Sequence, residues 1–150
     1  MLTLSTEHQA ARDDAARLPA LQATLARLTG DGTTHSTLTL YDHADPDDPA
    51  AVALAAIPLE SVPGVIDEAA LTLTLTTPVE AMVDGADASA GSVPLSARVT
   101  GPGGAWEFDA TVSITGGAGE IQFDATDEGG AEVRLYNGAT ARVTAAVIQG

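Results

Sequence analysis

A chain of 150 residues is long enough for one domain with its own core. Aromatic residues make up only 3% of it, so Ala, Val, Leu, Ile and Thr must fill the interior. The net charge of −15, from 21 acidic residues against six Arg and no Lys, argues against nucleic-acid phosphates and anionic lipid as partners. Absence of Cys removes disulfides, thiolate nucleophiles and thiolate metal sites.

The N-terminal stretch MLTLSTEHQAARDD has no basic segment leading into an apolar run. No stretch approaches the ~20 apolar residues of a membrane helix, so the chain is expected to be soluble as made. Residues 5–28 read as helix, with Thr6 and Gln9 at capping-box spacing. Leu18, Leu21, Leu25 and Leu28 form one apolar stripe. The stripe fits packing on the domain's own sheet, or a short a/d seam to another subunit as an oligomer or partner contact. Pro19 is expected to kink the helix or start a second one, and TGDG (Thr29 to Gly32) stops it.

Beyond Gly32 the period changes to two. Thr34–Asp42 alternates with Leu38 and Leu40 on one face. An acidic loop follows, then an apolar strand over Ala51–Leu59. ESVPGVIDEA reads as a connecting loop, Leu71–Thr77 as a strand with Leu inward and Thr outward, and 78–92 as a long loop.

ARVTGPGGAWEFDATVSI reads as a hairpin. Pro102 and Gly103 suit the centre of a type II turn. A Gly101–Gly104 loop sets Val99 against Trp106, Ala97 against Phe108, Leu95 against Ala110 and Val93 against Val112. Arg98 then faces Glu107, and Trp106, the only Trp, becomes a core anchor. Gly119–Ala125 is the next strand, with Ile121 and Phe123 on one face. Asn137-Gly138 marks a last hairpin. With Gly138 left-handed, Leu135 meets Ala139, Val133 meets Ala141, Ala131 meets Val143 and Glu132 pairs with Arg142. Alternation through Val143, Ala145 and Val147 closes the chain. The expected fold is mainly β: a helical segment over 1–32, then an antiparallel β-sandwich or barrel of about eight strands over 33–150.

The loop YDHADPDDPA gathers Asp42, His43, Asp45, Asp47 and Asp48, the oxygen-rich chemistry that calcium takes. The EF-hand spacing is absent, and a solvated loop with Asp-Pro turn starts explains the same residues. Calcium through Asp42, Asp45, Asp47 and Asp48 is the one cofactor considered; otherwise none is expected. His8, His35 and His43 are scattered and read as surface residues. There is no Gly-x-Ser-x-Gly elbow, and the Gly-rich turns open no helix that could cradle phosphate.

From about Thr33 onward the layout resembles the small Ala-, Thr- and Gly-rich proteins encoded among the virion structural genes of tailed bacteriophages. The residues that carry the resemblance are STLTLYDHADP, LAAIPL, LTLTLTT, ARVTGPGGAWEFDATVSITGGAGEIQFDA and VRLYNGATARVTAAVIQG. His43 stands where that group tends to have Gly after Tyr-Asp, and no functional residue is carried over. The resemblance implies a non-enzymatic virion part made in the host cytoplasm: a homo-oligomer or lattice component partnered by other virion proteins, without nucleic acid or membrane. The alternative is a carbohydrate- or receptor-binding module using the acidic loop and calcium; a carboxylate hydrolase ranks third.

Overall fold

The computed structural model describes residues 5–124 and 134–150. Within them the chain forms one helix, α1 (Thr6–Thr29), and nine strands. The strands are β1 (Thr37–Tyr41), β2 (Ala53–Pro58), β3 (Gly64–Asp67), β4 (Thr72–Leu75), β5 (Val79–Met82), β6 (Ser96–Thr100), β7 (Trp106–Ile114), β8 (Ile121–Asp124) and β9 (Thr140–Gln149). The fold is therefore mainly β with an N-terminal helix, as expected.

All nine strands belong to one curled sheet, a half-barrel, in the order β2-β1-β6-β7-β8-β9-β4-β3, with β5 also on β9. Every pairing is antiparallel except β7 with β8, which makes the sheet mixed. Parallel neighbours ordinarily need a long crossover. Here residues 115–120 suffice, because the chain leaves β7 at Ile114 and doubles back until Ile121 lies beside Val112. Gly119 permits the return: a Cβ there would stand 2.6 Å from the Val112 carbonyl carbon. The Gln122 side chain clasps the loop, accepting from Gly116 N–H and donating to the Gly117 carbonyl. Across the open side of the half-barrel, the backbone N–H groups of Asp84 and Gly85 both donate to the Leu54 carbonyl.

The helix differs from expectation in two ways. Its N-cap is Ser5, whose hydroxyl accepts from the His8 N–H, while Gln9 donates from its side chain to Asp13. Thr6 is already helical; with two adjacent hydroxyl residues, the earlier one takes the cap. The helix also continues through Pro19. The N–H that Pro19 lacks would have met the carbonyl of Ala15, an exposed residue that water can serve. Leu21 and Leu28 are buried and Leu25 packs beside them, in the same core as Leu38, Leu73 and Val99.

The short strands β3 and β5 lie in segments that read as loops. The β6–β7 hairpin keeps most of its expected inner face, with Ala97 and Val99 buried and Phe108, Ala110 and Val112 packed against the core. Its ladder is displaced by two residues: Val99 pairs with Phe108, Arg98 with Asp109 and Ala97 with Ala110. A bulge then leaves Glu107 unpaired and sets Thr100 opposite Trp106. That extra residue turns Trp106 to the outer face, where it is 60% exposed, so it is no core anchor. The turn is also of another type: Gly103 has no positive φ, and Gly104 takes the left-handed conformation at φ 79°. Leu95, expected inside, is exposed as well.

In the last segment Gly138 is left-handed, as the Asn-Gly signal requires, at φ 86°. Leu135, however, exchanges backbone hydrogen bonds with Ser92 rather than pairing with Ala139. Ala131, Glu132 and Val133, the rest of that expected ladder, lie outside the described residues. Arg142 approaches Glu80 and Asp124 at 3.9 and 3.8 Å. Another bulge, at Thr144 of β9, shifts the buried set from Ala141 and Val143 to Ala146, leaving Val147 exposed.

Candidate functional site

The most organised polar cluster lies on the outer face of β1, β6 and β7. Register fixes its rows: Thr37, Thr100 and Trp106 lie across from one another, and so do Thr39, Arg98 and Asp109. The Arg98 guanidinium, 15% exposed, is held by two carboxylates. Its Nε and Nη2 donate to Asp109 at 2.7 and 2.8 Å, and its Nη1 and Nη2 donate to Asp47 at 2.7 and 3.0 Å. The same group stacks on the Trp106 indole, 5.3 Å from the ring centroid. Asp109 and then Asp47 raise the basicity of Arg98 above its ordinary value. In return, the hydrogen bond from Arg98 holds the Asp47 carboxyl below the usual range.

Asp47 belongs to the acidic loop, so Arg98 ties that loop to the sheet. The loop's other carboxylates serve its own backbone. Asp42 accepts from Val52 N–H at 2.8 Å, Asp45 from Asp47 N–H at 3.0 Å and Asp48 from Ala50 N–H at 2.7 Å. His43 Nε2 stands 3.7 Å from Asp48, and the His43 carbonyl accepts from the Ser96 hydroxyl. Among the described residues, no three His or carboxylate side chains converge in the way a metal ion requires.

Of the helical stripe, Leu21 and Leu28 are committed to the chain's own core, Leu25 lies against it and Leu18 is half-buried. Upstream of Leu18 the situation reverses: every residue from Ser5 to Arg17 is exposed. The C-terminal half of α1 is fastened by an ion pair, Arg27 Nε to Glu107 at 2.8 Å, in which the carboxylate is almost fully buried and the guanidinium largely exposed. Glu107 is the bulged residue of β7, free of the ladder and so able to turn under the helix.

A recess open to solvent, about 530 Å³ in volume, lies elsewhere and is lined by His35, Pro58, Glu60, Val79, Glu80 and Arg142. His35 is not on a strand; its Nδ1 lies 2.6 Å from the Leu59 carbonyl. His8 is exposed on the helix and enters the cap only through its backbone.

Sequence reasoning brought Arg98 to the outer face but gave it the wrong acid; it offered Asp47 to calcium rather than to Arg98, and it placed the indole in the core. The signal for the Asp47 contact was an Arg on a polar strand face in a chain with a carboxylate-rich loop. No helix among the described residues is long and apolar enough to cross a membrane. Comparison with known proteins finds no matching family model, no matching curated protein and no matching solved structure.

Proposed function

We propose that the chain is a non-enzymatic structural component of a tailed-phage particle, held in place by contacts with other virion proteins and with further copies of itself. The observation that supports this most is the N-terminal half of α1. Residues 6–17 project from the domain for about 18 Å without burying a side chain. Tertiary packing supports only the other half of α1, so this half gains from a neighbour that covers it.

Charge points to the same segment. From Thr6 to Thr29, Glu7, Asp13 and Asp14 are balanced by Arg12, Arg17 and Arg27. The formal −15 therefore resides entirely in the remainder of the chain. A second protein, or another copy, meets the least like-charge repulsion at the arm.

The test uses an antibody to the chain on density-gradient-purified particles from a culture carrying the gene. The chain is expected to sediment with particles. The double variant Ala11→Asp/Ala15→Asp should lose that association while melting as the parent does. A chain found only in the particle-free fraction refutes the proposal.

A further inference from the structure

We infer that the outward face of Trp106 is a binding platform for a neutral saccharide. The inference is independent of any place in a particle and rests on how the indole is held. A bulge at Glu107 moves Trp106 off the core face, and the ring is left 60% exposed. Loose exposed aromatics are ordinary; this one is positioned. Arg98 stacks against one face of the ring, and Arg98 is itself immobilised by four hydrogen bonds to Asp47 and Asp109. The indole is thus backed by a fixed cation and presents its other face to solvent, with little rotamer freedom left to lose on binding.

The surroundings select the ligand. Thr37 and Thr100 lie in the same cross-strand row as Trp106, and Thr39 and Asp109 in the adjacent row. Asp47 reaches in from the loop with its side chain 72% exposed. These are hydroxyls and carboxylate oxygens arranged around one aromatic plane. A pyranose offers the complement: an apolar C–H face for the indole and equatorial hydroxyls that donate to carboxylates. A protein anchor site would surround the Trp with apolar side chains, and the neighbours here are polar. The acidic setting, in a chain of net charge −15, repels uronic acids and sulfated sugars, which restricts the class to neutral saccharides.

Because Trp106 is the only Trp, its fluorescence reports on the platform alone. The intact chain is titrated separately with maltohexaose, cellohexaose, chitohexaose and mannohexaose, with polygalacturonate as the anionic control. A saturable change in emission with at least one neutral oligosaccharide and none with polygalacturonate is expected. By calorimetry, Trp106→Ala should weaken that binding about tenfold or more. Trp106→Tyr, which keeps a ring, should retain most of it, and far-UV circular dichroism verifies both folds. Three results overturn the inference. One is no saturable response to any neutral oligosaccharide. Another is undiminished binding by Trp106→Ala. The third is loss of particle association in Trp106→Ala when the parent binds no sugar, which would make Trp106 a protein contact.

Discussion

Replacing Phe123 and Trp106 one at a time by Ala separates two accounts of how the aromatic residues are used. Phe123 is 2% exposed and is the largest of the fully buried side chains, flanked by Ile121 and Val143. Truncating such a residue costs about 3–5 kcal/mol, the lost transfer energy plus the cavity left behind. Trp106 is 60% exposed and its defined contact is the Arg98 stack, worth about 0.5–1 kcal/mol at an open site. At about 2–4 °C per kcal/mol for a domain of this size, Phe123→Ala should lower Tm by about 10 °C and Trp106→Ala by about 2 °C. The assay is thermal and urea unfolding followed by far-UV circular dichroism, which does not depend on the indole. If Trp106→Ala costs as much as Phe123→Ala, the ring is in the core, and both the bulge and the platform built on it are wrong.

The Arg27–Glu107 pair should respond asymmetrically. Arg27→Ala strands a buried carboxylate and should cost about 2 kcal/mol, whereas Glu107→Ala leaves a largely exposed guanidinium that water can serve and should cost less, as read by urea midpoints. Glycine substitutions should divide sharply. Gly85→Ala would push a Cβ to 1.8 Å from the Ala53 carbonyl oxygen and should impair folding. Gly103→Ala meets nothing within 4 Å at a position without positive φ, and should be neutral or raise Tm slightly. The Thr111 hydroxyl, then its backbone N–H, holds the Glu120 carboxyl below its ordinary value. A depressed folded value means stability that is present above the unfolded pKa and lost as pH falls through the folded one. The Tm gap between the parent and Glu120→Gln should therefore be constant from neutral pH down to about 5 and shrink below about 4; a gap that widens in acid contradicts it.

Much of the fold was legible because alternation survives wherever a strand is regular. Leu38 and Leu40 in β1, Leu73 and Leu75 in β4, and Ile121 and Phe123 in β8 point inward as their spacing indicates. The failures have separate causes. β3 and β5 have four residues each, too few for a period to stand out beside Pro63, Gly64 and Pro78. The parallel β7–β8 pair depends on a tight glycine return that no rule about crossover length anticipates. At the site, Arg98 could be assigned to the polar face, but which carboxylate it meets depends on a displacement of two residues that keeps Ala97, Val99, Phe108, Ala110 and Val112 on the core side. A shift by an even number of residues preserves the faces of those five, so the pattern could not choose. Asp47 is 51 residues from Arg98 in sequence, and only the folded sheet brings the two together.

The bulge at Glu107 has a consequence for how this surface can change over generations. Deleting Glu107 would restore unbroken alternation along β7 and leave Trp106 opposite Thr100, still on the outer face. The Arg98 stack would survive, while Arg27 would lose the acid that anchors the helix. A change of a single codon here thus reaches further than most substitutions, because it decides whether the strand has a residue to spare for the helix. The support given to the helix is set by the count of residues in the strand as much as by their identity, and the strand's length is itself a heritable determinant of how α1 is held.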